Sequence, residues 1–253
     1  METRQRIASV LLVLALWNAF AVGDEIPPYV KQCRMKDPHL IDCLTSALHH
    51  LRPYLAKGIP EIEMPSVEPF RMDELSLSLT SGPNGYRIVL KDLDIYGASN
   101  FTVSNLRLGS KERPFQATVS FPTLRIHAKY TSSGVLIILP ASGNGSFHAD
   151  FGDVDALVRG KVLSETRGGK EYLRVDALDL DINIKRVRMQ VKKIFNNNRI
   201  LTEATNLFLR ENGHEVIKAM TPQLKKKFTV LFKSIANQLL THVPLDVFLI
   251  KEE

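Results

Sequence analysis

Phe115-Gln116-Ala117-Thr118-Val119-Ser120-Phe121-Pro122-Thr123-Leu124-Arg125-Ile126-His127-Ala128-Lys129-Tyr130 is the part of this 253-residue chain from which its architecture is most directly read. Phe115, Ala117, Val119 and Phe121 take every second position. Beyond Pro122 so do Leu124, Ile126, Ala128 and Tyr130, opposed by Arg125, His127 and Lys129. A period of two puts alternate side chains on opposite faces of a strand, one apolar and one wet. The pattern extends both ways. Upstream, Leu75, Leu77 and Leu79 alternate with Ser76, Ser78 and Thr80, Gly82-Pro83-Asn84-Gly85 turns the chain, and Tyr86, Ile88 and Leu90 resume it. After Leu90 the apolar parity moves to Leu93 and Ile95, which predicts a bulge. Downstream, the wholly apolar Val135–Leu139 is expected to be covered on both faces. Phe147, Ala149 and Phe151 follow, then Val154, Ala156, Val158 and Val162, and finally Leu178, Leu180, Ile182 and Ile184 through Val187, Met189 and Val191. The expected product is an antiparallel meander with one greasy face.

At both ends of the meander the period becomes helical. Leu40, Cys43, Leu44, Ala47, Leu48 and Leu51 form one stripe, with Asp37-Pro38 at its start and Pro53 and Gly58 ending it. Pro60, Pro65 and Pro69 then force an extended connector. On the far side, Val216, Ile217, Met220, Leu224, Phe228, Leu231, Phe232, Ile235 and Leu239 step by threes and fours, with Lys225, Lys226, Lys227 and Lys233 on the wet side. This predicts a helix from near Leu201 to just before Pro244, kinked at Pro222 and weakened at Gly213. Together these elements make an α+β chain.

Residues 1–23 stand apart. Arg4 and Arg6 precede the apolar run Ile7–Leu16, and Ala21-Val22-Gly23 offers small residues for a cut after Gly23. The layout is that of a secretory signal peptide, and the run is short for a membrane anchor. That leaves 24–253 as one soluble, extracellular domain with net charge +5, close to the +6 of the whole chain. In an oxidising compartment Cys33 and Cys43 are expected to pair. Asn100-Phe101-Thr102 and Asn144-Gly145-Ser146 are glycosylation sequons, both expected at turns.

The chain carries neither a Gly-x-Ser-x-Gly nucleophile elbow nor a Gly-x4-Gly-Lys phosphate loop, and His214-Glu215 lacks the second histidine of a zinc-protease helix. Adjacent His49 and His50 diverge by about 100° on a helix, poor geometry for one metal ion. Asp176, Asp179 and Asp181 alternate with core leucines and read as a wet strand face. No enzymatic activity, metal or cofactor is expected. The lysine run at 225–227 lacks interleaved aromatics, so nucleic acid is not expected as a partner. That run, with Arg186, Arg188, Lys192 and Lys193, reads as solvated surface or as a weak contact with anionic membranes. Periodicity alone favours a filled core over a cavity.

Several of these landmarks resemble the insect takeout and juvenile-hormone-binding proteins of the haemolymph. Cys33, Asp37-Pro38, Cys43-Leu44, Leu51-Arg52-Pro53 and Gly58-Ile59-Pro60-Glu61 look like that family's N-terminal signature. Asp92-Leu93-Asp94-Ile95-Tyr96-Gly97, Leu139-Pro140 with Gly143-x-Gly145, and Ile194-Phe195-Asn196 are similar to its strand and turn landmarks. The stretch from Asn237 through Val243-Pro244-Leu245-Asp246 resembles its C-terminal motif. The likeness runs from Glu25 to Phe248. It departs at Val247-Phe248-Leu249, where members often end in a Leu-Phe-Pro-like tail. The resemblance implies an elongated, highly curved antiparallel sheet wrapped around one long C-terminal helix, the tubular lipid-binding fold. It also implies a monomeric carrier holding juvenile hormone, another terpenoid or a fatty-acyl-like molecule in a hydrophobic tunnel, with a membrane-surface lipid-transfer protein as the alternative. By parity, Phe121, Ile126, Phe147, Phe228, Leu231, Phe232 and Ile235 are the expected wall residues, with Tyr130 as polar anchor.

Overall fold

The computed structural model describes residues 26–79, 85–110, 114–137, 139–192 and 199–251. The signal segment 1–23, Gly82-Pro83-Asn84 of the expected turn, Lys193 and the landmark Ile194-Phe195-Asn196 lie outside them. The strands are β1 (Cys33–Arg34), β2 (Phe70–Ser78), β3 (Arg87–Tyr96), β4 (Thr102–Arg107), β5 (Phe115–Ser133), β6 (Val135–Leu136), β7 (Leu139–Pro140), β8 (Gly143–Arg167), β9 (Lys170–Lys192) and β10 (Leu249–Ile250). The helices are α1 (Leu40–His50), α2 (Arg52–Lys57), α3 (Arg199–Leu240) and α4 (Leu245–Phe248). One antiparallel sheet runs β2-β3-β5-β8-β9, with β4 on the same side of β5 as β3. It curls along α3, whose 42 residues extend about 60 Å.

Apolar sets that are separate in the sequence are joined here into single long strands, made possible by a crease across the sheet. In β5 the inward parity is odd up to Phe121 and even from Leu124. In β8 it is odd up to Phe151 and even from Val154, and in β9 even from Leu178 to Ile184 and odd from Val187. The three switches stand opposite one another, since Phe121 pairs with Val154, Leu124 with Phe151, Val154 with Ile184 and Phe151 with Val187. Pro122 sits in this line. The ladder passes from Phe121–Val154 to Thr123–Gly152 without it, and on the other side pairing with β4 stops at Ser120 and pairing with β3 starts at Arg125. A proline without a ladder partner is thereby tolerated in a central strand. Asp153 lies opposite at φ 49°. A Cβ on Gly152 would fall 2.5 Å from Arg186 Nε. The glycine thus leaves room for the guanidinium, which reaches Asp153 at 3.0 Å. The crease lets a sharply bent sheet keep its apolar side inward at both ends. The bulge expected after Leu90 is present, with the β3–β5 register shifting between Lys91 and Asp94 and Asp92 at φ 50°.

Four expectations are corrected. The long helix breaks at Asn212 (φ −118°, ψ 19°), beside Gly213, and continues through Pro222. A Cβ on Gly213 would lie 3.1 Å from Val187 Cγ1, so close approach to β9 selects the break point, and Asn212 Nδ2 donates to the Phe208 carbonyl at 3.0 Å. Val135–Leu139 is not a strand covered on both faces. Leu136 is buried, but Val135 and Ile137 are exposed because Ile137 turns the chain at φ 58° between β6 and β7. Asn144 lies in strand β8 opposite Thr131, though Asn100 does sit in a turn. Pro53 ends α1 only to open α2, which stops at Gly58 (φ 86°).

The long path of the sheet ends in β2 and β9, and α3 reaches both through side-chain amides. Asn206 accepts from the Val191 N–H at 2.8 Å and donates to its carbonyl at 3.0 Å. Asn237 does the same at Val175, at 2.7 and 3.1 Å. Gln223 accepts from the Ser78 N–H of β2 at 2.9 Å and donates to the Ser78 carbonyl. Each amide stands in for one residue of a missing strand, satisfying edge groups that would otherwise recruit another chain.

The N-terminal segment closes one end. Cys33 and Cys43 are disulfide-bonded, tying β1 to α1, and β1 pairs in parallel with β10 at the other terminus. Tyr29, Leu51, Ile59, Ile62, Met64 and Val243 form a second apolar cluster beneath α1 and α2. His49 accepts from the Val103 N–H at 2.7 Å and Arg52 donates to the Phe101 carbonyl at 3.0 Å, fastening this cap to β4 and the turn before it. His50 contacts the Pro28 carbonyl at 2.9 Å. The histidine pair therefore has structural partners.

Candidate functional site

The space between the curled sheet and α3 is not filled. A cavity of about 510 Å3 extends along the helix from Thr205 to Leu239, within the roughly 300–1,000 Å3 usual for ligand pockets. Phe121, Ile126, Tyr130, Phe147, Phe228, Leu231, Phe232 and Ile235 all line it. Residues that parity reasoning did not single out join them. Leu48, Leu51 and Leu55 come from the cap, Phe151 and Ala156 from β8, Met189 from β9 and Met220 from α3. Among the described residues no charged side chain lines the cavity.

Polar side chains in the lining are few: Thr205 and Thr221 of α3 donate to the helix carbonyls of Leu201 and Ile217, Ser142 accepts from the Gly134 N–H, and the rest form one group. Tyr86, Tyr130 and Ser132 line the cavity where β5 nears its end, and all are buried. Tyr86 has the inward parity of Ile88 and Leu90, so the signal for it was present. Ser132 has the parity of Tyr130, but a serine in a strand reads as wet. Burial pushes the Tyr86 hydroxyl up to about 12, opposed by a hydrogen bond with Ser132 and supported by nearby Tyr130. Burial raises Tyr130 to about 12 as well. Both phenols are therefore neutral donors across the physiological range. The Ser132 hydroxyl donates to the Ala141 carbonyl at 2.7 Å. No hydrogen bond engages the Tyr130 hydroxyl among the described residues, so it can serve a guest.

The turn that carries Phe101 into the lining hangs on one carboxylate. Glu68 accepts from the Gly97 N–H at 2.7 Å, the Ser99 N–H at 3.2 Å and the Ser99 hydroxyl at 2.9 Å. Gly97 has φ 90°, and a Cβ there would meet the Thr123 carbonyl at 2.2 Å, which reserves the position for glycine. Burial works to raise the Glu68 carboxyl, and the three hydrogen bonds outweigh it and hold it below its usual value. A depressed carboxyl stabilises the fold above its unfolded pKa of about 4.3 and loses that contribution as pH falls through its lower folded value. Glu68→Gln is expected to lower the melting temperature at pH 7 and to flatten its decline between about pH 5 and 3. Equal wild-type and mutant slopes in that window would show that the turn does not depend on the charge.

Other charged groups are engaged in surface pairing. Asp179 meets Arg159 and Lys225, each at 2.9 Å, which lowers the Asp179 pKa chiefly through the hydrogen bond from Arg159. Lys225 is thus drawn to β9, while Lys226 and Lys227 are exposed. Arg174 lies 3.9 Å from Asp176. Among the described residues no group of three or more His, Cys, Asp or Glu side chains could hold a metal ion, and no helix is long and apolar enough to cross a membrane.

Residues 10–250 match the family model described as haemolymph juvenile hormone binding protein. The chain belongs to this family. Among its relatives, the circadian clock-controlled protein daywake of Drosophila melanogaster is 25% identical over 260 residues, covering 97% of this chain and 98% of that protein. A putative beta-carotene-binding protein of Schistocerca gregaria is 26% identical over 184 residues, 72% of each chain. The crystal structure of Takeout 1 from Epiphyas postvittana superposes with a TM-score of 0.76 at 19% identity, covering 87% of this chain and all of that one. That likeness shows the fold: a curled antiparallel sheet around one long C-terminal helix, as the resemblance implied. The haemolymph juvenile hormone binding family is by its description a family of binding proteins, in keeping with a site that offers apolar wall and neutral hydroxyls.

Proposed function

We propose that this family member is a secreted, non-enzymatic carrier for an elongated, uncharged lipophilic molecule, such as juvenile hormone, another terpenoid or a neutral fatty-acyl compound. The observation that carries the reading is the cavity, lined along its length by Leu, Ile, Val, Phe and Met and holding the buried, neutral hydroxyl of Tyr130. Burial of ligand surface at about 25 cal/mol per Å2 supplies the affinity, and the unengaged Tyr130 hydroxyl donates to a terminal ester, carbonyl or ether oxygen. An ionised carboxylate would find no cation among the lining residues. The domain spans 24–253 after removal of a signal peptide 1–23 and acts as a monomer. The disulfide favours an extracellular setting. Exposed Asn100 and Asn144 are candidate glycan acceptors.

Two measurements test this. Organic extraction of the natively purified protein followed by mass spectrometry is expected to release a neutral lipid, and an apolar fluorescent probe is expected to be displaced by terpenoid esters. No extractable lipid together with no probe binding would sink the reading. Tyr130→Phe is expected to weaken an oxygen-bearing ligand about 3- to 10-fold, the size of one hydrogen bond, while a pure hydrocarbon of equal length is unaffected. The alternative, action at anionic membranes through the basic side of α3, rests on exposed Lys226 and Lys227. It predicts co-sedimentation with anionic vesicles at low salt.

A further inference from the structure

The helix is attached to its sheet very unevenly. Along β9, α3 is held by Asn206, by His214 to the Lys185 carbonyl at 3.0 Å, by Lys225 to Asp179 at 2.9 Å, by Lys233 to the Asp176 carbonyl, and by Asn237. Its last turns are also fastened to the cap, where Gln238 donates to the Ile62 carbonyl at 2.6 Å. Facing β2 there is one polar tie among the described residues, the Gln223–Ser78 pair, and packing between α3 and β2 is confined to a few residues. Both lips of this seam line the cavity, Leu75 and Leu77 from β2 and Thr221 and Leu224 from α3.

The hydrogen-bond ladder of the helix is also incomplete at this place, although its dihedrals stay helical through Pro222. Pro222, beside Gln223, has no N–H for the carbonyl one turn back, and Asn212 breaks the helical dihedrals less than three turns earlier. The helix is therefore least stiff from Asn212 to Pro222, immediately before its Gln223 tie to β2. Tilting there breaks one amide pair, exposes no charged lining and opens directly onto the cavity.

We propose that the seam between α3 and β2 is the portal through which an elongated apolar ligand enters and leaves, and that the Gln223–Ser78 pair is its latch. This rests on the carrier reading, and binding at equilibrium tests that reading separately. Cysteines at Ser78 and Gln223, joined by a short bismaleimide, lock the seam, since Cys33 and Cys43 are already bonded to each other. Uptake and release of N-phenyl-1-naphthylamine are expected to slow by about 10-fold or more in the locked protein. Gln223→Leu, which removes both hydrogen bonds, is expected to speed exchange roughly 10-fold. Equivalent cross-links at Asp179 with Lys225 on the β9 side, and at His49 with Thr102 in the cap, none of which lines the cavity, are expected to leave the rates unchanged. Unaltered exchange in the seam-locked protein, or slowing by the cap lock instead, overturns the portal. A wild-type protein that fails to bind the probe overturns the carrier reading and the portal with it.

Discussion

Ala156→Trp is expected to abolish ligand binding while leaving the protein folded. Ala156 is 4% exposed, points inward from β8 between Val119 and Ile182, and borders the cavity. In a filled core, an indole at this position would cost 1–3 kcal/mol or more by overpacking. Beside a void of about 510 Å3 it has somewhere to go, and burying the ring offsets much of that cost. The ligand then loses the space. Displacing about 100–150 Å2 of apolar contact removes about 2.5–4 kcal/mol, a fall in affinity on the order of 100- to 1,000-fold. The paired readouts are probe affinity and melting temperature. Unchanged affinity would place the ligand elsewhere, and a collapse of the fold would show that the void cannot accept the ring.

Replacing both Asn206 and Asn237 by alanine is expected to bring the protein close to unfolding. Val191 and Val175, the residues they clasp, are 5% and 2% exposed, so each substitution strands a buried N–H and a buried carbonyl. Each stranded group costs about 1–3 kcal/mol, and with some relief from water or helix movement each substitution costs about 2–4 kcal/mol. The two sites are separated by roughly 45 Å of helix, so their effects should add. The sum, about 4–8 kcal/mol, rivals the 5–15 kcal/mol stability typical of a domain. Urea unfolding at neutral pH reads it directly, and Asn237→Asp, which keeps the acceptor for the Val175 N–H, should fall between wild type and alanine. A double mutant within about 0.5 kcal/mol of wild type would mean that the helix does not depend on its amides.

Much of the cavity wall was legible one residue at a time. Tyr130 shares the parity of Leu124, Ile126 and Ala128, and parity is a local property of a strand, so its inward aim needed no tertiary knowledge. Phe228, Leu231, Phe232 and Ile235 followed in the same way from the helical period. Of the two weak points legible in the helix, Pro222 and Gly213, the dihedrals break beside Gly213, because there the backbone comes close to Val187 on a distant strand. The amide clasps carry no sequence signal of their own, since an Asn on a helix reads as surface polarity until an edge strand lies beside it.

The order of residues alone therefore determined which faces are apolar, the family, the bulge after Leu90 and the expected partnership of Cys33 with Cys43. All of these depend on neighbours a few positions apart or on a motif string. Only the folded chain decided that three parity switches align into one crease and that α3 is clasped tightly to β9 and loosely to β2. The void is likewise a tertiary property, and whether Leu, Ile and Phe fill a core or line a tunnel depends on how far apart the sheet and the helix are held. That separation is set by the curvature of six strands together.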